Sequence, residues 1–346
     1  MVAAWLGVVS HTCLAIGAGI SAPLLLVLGR IGQSVSFDAM AVPMKAIASS
    51  QKRGSSSTAG VGRLQSGTGL GFAIGSFVGG TLAQFGGTIA PMVAALACAL
   101  VNLTLCWPLR HHQPVCTERR DGSRAIAAGS MVSELRQALA TPSIPALLAL
   151  RAMNSLSLSI ALTSFEVALQ DALGYQVQRI GLLLAATGLV NSAASVLVVP
   201  RLTLLMPDSS LLSAAFALLS AGRALQAVAM TTGELRTATS ISMLSPFHTL
   251  CAGQLLVAVG GAMSSALIIS RTAREAPDGQ TGRMIGLSDT FDGIAAVAGP
   301  VCSGLLYDAR GPPAPAVVAS IVCLLGSALA FKTPMGQTRG SLTKED

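Results

Sequence analysis

Ten long apolar stretches constrain the fold of this chain more than any other feature. They are rich in Leu, Ala, Val, Ile and Gly and lie approximately at 2–20, 23–48, 62–83, 88–108, 144–171, 179–204, 210–231, 246–270, 284–307 and 313–331. About 20 mainly apolar residues allow a helix to cross the hydrocarbon core of a bilayer. None of the stretches alternates apolar and polar residues as a membrane barrel does. Because helices satisfy their own backbone groups in lipid, we predict about ten transmembrane helices.

Composition excludes a water-soluble fold of this length. Charged side chains make up 11% of the 346 residues and hydrophobic side chains 52%, whereas about 25% of the residues of a soluble domain are charged. So few charges cannot cover a surface that faces water. We therefore predict an all-α, multi-pass membrane protein in contact with a lipid bilayer.

The positive charges predict the topology. With the amino terminus in the cytoplasm and one crossing per stretch, sixteen of the 22 Lys and Arg residues are cytoplasmic and three lie on the opposite side. Such an asymmetry is expected from the positive-inside rule. Both termini are then predicted to be cytoplasmic, in a membrane that the sequence does not specify. The net charge of +7 is explained without a nucleic-acid partner.

A polar segment divides the chain into two predicted bundles. It runs from Arg110 to Arg136 and separates four apolar stretches from six. The predicted units are an N-terminal bundle at 1–109, a cytoplasmic linker at 110–143, a C-terminal six-helix bundle at 144–332 and a cytoplasmic tail at 333–346.

An internal repeat relates the two halves. When the sequence is shifted by 224 residues, Gly75–Gly80 aligns with Gly299–Gly304 without a gap, and Ala90-Pro91 aligns with Ala314-Pro315. The matched positions fall in equivalent stretches of the two bundles. Duplicated bundles around a cavity near the bilayer midplane are typical of secondary transporters.

Three passages show a specific resemblance: Leu28–Ser34, Gly67–Gly80 and Glu166–Leu202. They resemble the major facilitator superfamily, and in particular its drug:proton antiporters of the tetracycline-efflux type. Leu28–Ser34 resembles the Arg-x-x-Gln-Gly signature of that family's fourth helix. Gly67–Gly80 resembles the antiporter motif Gly-Pro-x-x-Gly-Gly of the fifth helix, and Glu166–Leu202 resembles the seventh and eighth helices. The resemblance implies a two-bundle helical transporter. It also implies a conformational Gly/Pro motif at Gly75, Gly79, Gly80, Gly299, Pro300 and Gly304.

The chain departs from the family pattern in two ways. Ser34 stands where the signature has Gly, and Ser76 stands where the motif has Pro, although Pro300 supplies that proline in the second copy. The family also has twelve helices, and the first four apolar stretches here match its third to sixth. The chain is therefore interpreted as lacking the first two helices, either as a fragment or as a reduced transporter. The fragment is favoured, because a four-plus-six bundle leaves part of the cavity facing lipid.

Polar and charged side chains inside the spans are the candidate functional residues, because such groups are costly in lipid. Arg30 and Gln33 share a helix face, as do Asp289 and Asp292. Two acids this close titrate as a coupled pair, which suits proton binding. The predicted substrate or proton pathway comprises Arg30, Gln33, Asp38, Asn154, Glu166, Asn191, Gln254, Asp289 and Asp292.

Structural roles remain open for several charged residues. Arg30 is also compatible with a pair to a neighbouring helix, and Asp289 with a position at the membrane interface. Arg151 is expected to extend to the cytoplasmic interface, as long cations near helix ends do. Arg223 is expected to be structural, because its span resembles a peripheral helix of the family.

The predicted function is secondary transport of a small solute, coupled to protons, by alternating access. The alternative is a non-transporting scaffold or a truncated relic of a transporter. An enzyme is not expected, because no paired nucleophile and base stand out, and no phosphate-binding Gly-Lys-Ser/Thr loop is present. His111, His112 and Cys116 lack the spacing of a metal site. We expect a monomer with no cofactor, metal or nucleic-acid partner.

Overall fold

The computed structural model describes residues 2–50, 55–107, 143–238, 246–276 and 280–333. Within these residues the protein consists of ten helices and no strand, which confirms the all-α prediction. The helices are α1 (Val2–Gly19), α2 (Pro23–Ser50), α3 (Ser55–Gly86), α4 (Ile89–Cys106), α5 (Ile144–Leu173), α6 (Val177–Leu205), α7 (Asp208–Ala238), α8 (Pro246–Glu275), α9 (Thr281–Arg310) and α10 (Ala314–Lys332). The predicted linker and tail lie outside the described residues, apart from Ser143 and Thr333.

Nine of the ten described helices are long and apolar enough to cross a membrane. The exception is α3, whose many Gly, Ser and Thr residues lower the hydropathy of each stretch long enough to cross a membrane. Its 32 residues correspond to about 48 Å at 1.5 Å per residue, which exceeds the roughly 30 Å of a bilayer core. Length therefore permits α3 to span, and packing against other helices compensates for its modest hydropathy.

Helix α1 packs on α2 and α4, and the last six helices, α5 to α10, form a second group. In the second group α5 packs against α9 and α10, while α7 packs against α8 and α10. The largest buried side chains of this group include Phe165, Phe216, Leu212 and Leu267. The division into two bundles remains a prediction, because α3 packs extensively along α6, across the expected boundary.

The contact between α3 and α6 is made by glycines. A Cβ added to Gly188 of α6 would lie 2.8 Å from the carbonyl oxygen of Gly69 in α3. A Cβ added to Gly181 would lie 2.7 Å from the carbonyl oxygen of Ser76. The two backbones therefore touch, as small residues allow between membrane helices.

Helix α6 is irregular near its end. Its α-helical part Val177–Ala193 continues into a π-helical segment, Ala194–Val198, and ends as Val199–Leu205. Pro200 lies two residues after this segment and lacks a backbone N–H, which explains a local change in the hydrogen-bond ladder. Single π-helical turns are frequent at functional sites.

The two ends of the helix bundle carry different contacts. We call the end at which α4 finishes and α5 begins the linker end. There Asp208 at the start of α7 pairs with Arg271 and Arg274 of α8, at 2.5 and 2.6 Å. At the opposite end the Tyr307 hydroxyl of α9 donates to Asp171 of α5. Polar contacts thus fasten neighbouring helices at both ends.

Candidate substrate cavity and ion-pair cluster

A cavity of about 330 Å³ lies where α3 meets the last six helices. Its walls come from α3, α5, α6, α7 and α8, near the middle of several of these helices. The lining consists of Gln65, Thr68, Gly69, Phe72, Asn154, Ser157, Leu158, Leu162, Phe165, Leu184, Thr187, Gly188, Asn191, Leu219, Arg223, Gln254, Val257, Ala258, Gly261 and Ser265. This is the size and the mostly apolar character of a small-molecule site.

The cavity brings together three predicted residues, Asn154, Asn191 and Gln254. The Asn154 Oδ1 accepts a hydrogen bond of 3.0 Å from the Ser264 hydroxyl, which fixes the Asn154 side chain. The Asn191 Oδ1 is buried and has no hydrogen-bond partner among the described residues. An unpaired amide oxygen in an apolar wall is costly unless a ligand or water meets it. Their role in binding stays a prediction.

Arg223 is the cavity residue for which the sequence predicted only a structural role. It lies at the midpoint of α7, lines the cavity and is 3% exposed. Its Nη1 donates to the Gln226 Oε1 at 3.0 Å, while its Nε has no hydrogen-bond partner among the described residues. No described Asp or Glu forms an ion pair with it.

A second site, the ion-pair cluster, consists of Lys45, Arg151, Asp289 and Asp292. The Lys45 Nζ donates to both carboxylate oxygens of Asp289, at 2.9 and 2.8 Å. The Arg151 Nη2 donates to the same carboxylate at 3.3 Å. The Arg151 Nε lies 3.1 Å from the Asp292 Oδ1, close enough for an ion pair but without hydrogen-bond geometry. The two acids share one guanidinium.

The position of Arg151 corrects one expectation. Its side chain does not extend to the membrane interface but is 8% exposed between the two acids. A buried cation needs a counter-ion, and Asp289 and Asp292 supply it from the neighbouring α9. The Ser155 hydroxyl of α5 also donates to the backbone carbonyl of Asp292, at 2.9 Å. The same contacts hold α5 against α9.

The ion-pair cluster connects the first four helices to the last six. Lys45 belongs to α2, Arg151 to α5, and the two acids to α9. All four lie in the half of their helices nearer the linker end. On the same side, a Cβ added to Gly282 of α9 would lie 4.0 Å from the Ala46 Cβ. The linker end of α2 is therefore in direct contact with α9.

The remaining predicted polar residues lie elsewhere. Arg30 is exposed and donates to Gln33 at 3.0 Å, and the Gln33 Nε2 lies 3.5 Å from the His11 Nε2. Glu166 is exposed and does not line the cavity. The side chain of Asp38 lies outside the described residues. These residues therefore do not join Asn154, Asn191 and Gln254 in the described site.

The predicted Gly/Pro motif divides into packed and open positions. Gly80 lies against Gly181 of α6, and Gly299 lies against Ser159 and Ile160 of α5. A Cβ at any of the other three glycines would meet nothing within 4 Å: Gly75, Gly79 and Gly304. Pro300 lies inside α9. Close packing thus explains two of the five glycines.

No group of three or more His, Cys, Asp or Glu side chains suited to a metal ion occurs in the part of the chain that the structure describes. The charged groups are instead arranged as ion pairs between helices.

A multi-pass helical bundle around a mostly apolar cavity with a few polar groups is the architecture of a membrane transport protein. The sequence profile of the Major Facilitator Superfamily matches residues 1–225 and 147–346, so the chain belongs to that family. It is therefore a membrane transporter and not an enzyme, as the sequence predicted.

A solved structure supports the fold. The human organic anion transporter MFSD10 (TETRAN) is similar with a TM-score of 0.59 and 19% sequence identity, over 95% of this chain and 75% of that chain. At this identity the likeness shows the fold alone. A comparison with curated protein sequences found no match.

Proposed function

We propose that the protein is a proton-coupled secondary transporter that carries a small solute by alternating access. The observation that carries this proposal is the pairing of a mid-membrane cavity with an ion-pair cluster that connects the two halves at one end. The cavity supplies a solute site within the bundle. The cluster supplies a contact that must break for the linker end to open.

Movement of the two halves would follow from two kinds of contact. The α3–α6 contact is tight and made of backbone, whereas the α2–α9 contact rests on Lys45 and Asp289. Hydrogen bonds between side chains break and re-form more readily than closely packed backbones separate. Opening of the linker end is therefore proposed to separate Lys45 from Asp289.

Proton coupling is proposed to act through the two acids of the cluster. The Asp292 side chain is 32% exposed and the Asp289 side chain 10%, so a proton reaches Asp292 more easily. Protonation of Asp292 would remove its ion pair with Arg151, so that Arg151 pairs with Asp289 alone. The stronger Arg151–Asp289 pair would then weaken the bond between Lys45 and Asp289. Proton exchange at Asp292 is thereby proposed to control the separation of Lys45 from Asp289.

The drug:proton antiporter subtype and the orientation are part of the same proposal. The Gly75–Gly80 motif supports antiport, and the asymmetry of Lys and Arg supports a linker end that faces the cytoplasm. A monomer suffices for the mechanism, because one chain contains both the cavity and the cluster.

One experiment tests alternating access directly. Cysteines at Ala46 and Gly282, in a background without the native cysteines, have the Cβ separation that a disulfide requires, about 3.5–4.5 Å. In proteoliposomes that carry a pH gradient, transport of ethidium, tetracycline and 2-naphthoate is measured before and after oxidation. Oxidation should abolish flux by holding the linker end closed, and reductant should restore it. The two single-cysteine variants are the controls.

A second experiment tests proton coupling. Asp292→Asn should abolish proton-driven flux, which is read from the pH dye pyranine inside the vesicles. Asp308→Asn makes the same chemical change on the exposed far end of α9 and should leave flux unchanged. Flux of none of the three solutes by the unmodified protein would contradict the proposal and favour the scaffold alternative. Full proton-driven flux in Asp292→Asn would contradict the coupling.

A further inference from the structure

Arg223 is a buried cation without a counter-ion. It lies at the midpoint of α7, 3% exposed, and no described acid is within ion-pair distance. By contrast, Arg151 and Arg271 are equally buried and each pairs with a carboxylate. A buried charge is usually paired because an isolated one is strongly disfavoured in a low-dielectric interior. A charge left unpaired at membrane depth therefore indicates a ligand.

The position of Arg223 shows where such a ligand would lie. Its side chain lines the cavity, and its Nη1 already has an acceptor in the Gln226 amide. Its Nε and the Gln226 Nε2 have no hydrogen-bond partner among the described residues. Two donors near one another, both unsatisfied, favour an acceptor that carries negative charge.

The rest of the lining limits the ligand further. The lining contains no Asp or Glu, so a cationic solute would meet only the like charge of Arg223. Asn191 and Gln254 supply amide groups, which donate and accept hydrogen bonds. Most of the wall is apolar, with Phe72, Leu158 and Leu184 among its residues. A solute for this cavity therefore has one anionic end and a hydrophobic body.

We infer that the cavity binds monovalent organic anions, and that Arg223 holds their carboxylate. This inference rests on the proposed transport function, and it names the substrate class. A planar guanidinium matches a carboxylate better than an ammonium does. The volume of about 330 Å³ accommodates an aromatic or medium-chain acid, because it is at the lower end of the range for ligand pockets.

The decisive experiment measures binding to the purified full chain in nanodiscs by isothermal titration calorimetry. The probes are 2-naphthoate and its neutral isostere 2-naphthamide. The native protein should bind the anion at least about tenfold more tightly, as expected for a hydrogen bond to a charged group. Arg223→Gln should remove this preference. Arg310→Gln, which removes an exposed positive charge at the far end of α9, should retain it.

A second variant separates ligand recognition from a purely structural role. Gln226→Glu places a carboxylate where the amide oxygen now accepts from Arg223 at 3.0 Å. This internal counter-ion should stabilise the fold and yet weaken 2-naphthoate binding at least about tenfold. A structural role for Arg223 alone would leave binding unchanged in this variant. That result, or equal binding of both probes by the native protein, would overturn the inference.

The outcome is independent of proton coupling, because binding requires no gradient. Anion binding without flux would contradict the transport proposal and leave the recognition by Arg223 intact. Proton-driven flux of ethidium without any preference for 2-naphthoate would do the reverse.

Discussion

Replacement of Lys45 by Met should shift the protein towards a state that is open at the linker end. Lys45 is the residue of the ion-pair cluster that belongs to the first four helices, and it donates to both oxygens of Asp289. Met preserves most of the length of the side chain and removes the charge. The bond across the two halves is then lost, whereas Arg151 and both acids remain together on α5 and α9.

The magnitude follows from the geometry. Hydrogen bonds to charged groups contribute about 1.5–3 kcal/mol. The side chains of Lys45 and Asp289 are 17% and 10% exposed, so water weakens the pair slightly. Asp289 also keeps Arg151 at 3.3 Å and is not left unpaired. We therefore expect a loss of about 1.5–2 kcal/mol for the closed state, which raises the ratio of open to closed molecules about 10- to 30-fold.

Distances between spin labels measure this ratio. Labels at Met44 of α2 and Phe331 of α10 are on exposed residues near the linker end, one in each half and away from the α3–α6 contact. The fraction of molecules with a long distance should rise in Lys45→Met by the factor given above. Lys45→Arg keeps the charge and is the matched control, with a distribution close to that of the native protein.

One result would refute the reasoning. If the ratio of long to short distances changes less than about threefold, the pair contributes under about 0.7 kcal/mol to closure. The cluster would then hold α5 to α9 without controlling the separation of the halves.

Two further predictions concern stability, measured by thermal unfolding with a thiol-reactive dye that detects buried cysteines such as Cys323. Arg151→Gln should lower the free energy of unfolding by about 2–4 kcal/mol, because removal of one partner leaves buried carboxylates uncompensated. An unchanged free energy of unfolding would contradict this prediction and would mean that water already reaches both acids. Gly188→Ala should destabilise the α3–α6 contact by about 1–3 kcal/mol through overpacking, since the new Cβ would lie 2.8 Å from the backbone of Gly69. Gly71→Ala meets nothing within 4 Å and should be neutral or stabilising, so similar losses in both variants would contradict the packing argument.

Hydropathy alone predicted most of the fold. The stretches at 144–171 and 284–307 correspond to Ile144–Leu173 and Thr281–Arg310, within three residues at each end. Such agreement is expected because the requirement for internal hydrogen bonding in lipid allows few alternatives. The predicted apolar stretch at 62–83 lies within α3, the one described helix that has no window apolar enough to count as a candidate span.

The sites were less predictable, because they depend on how each helix is rotated about its axis. Asn154, Asn191 and Gln254 do share a cavity, whereas Arg30 is exposed. The partner of Asp289 is Lys45, 244 residues away in sequence, and no local pattern specifies such a pair. Arg223 also lines the cavity, which the resemblance of its span to a peripheral helix did not predict. The position of this charge at the midpoint of an apolar helix was the sequence feature that could have indicated a place in the cavity.

The glycine contact between α3 and α6 limits the geometry of any conformational cycle. Backbones that touch at Gly69 and Gly188 have no side chains between them that could rearrange to permit translation. Relative displacement of the halves is thereby restricted to rotation about a line close to this pair of helices. With a pivot near α3 and α6, a small rotation produces the largest displacement in the helices that lie farthest from this pair. Transport efficiency should therefore depend on residues that never touch the solute.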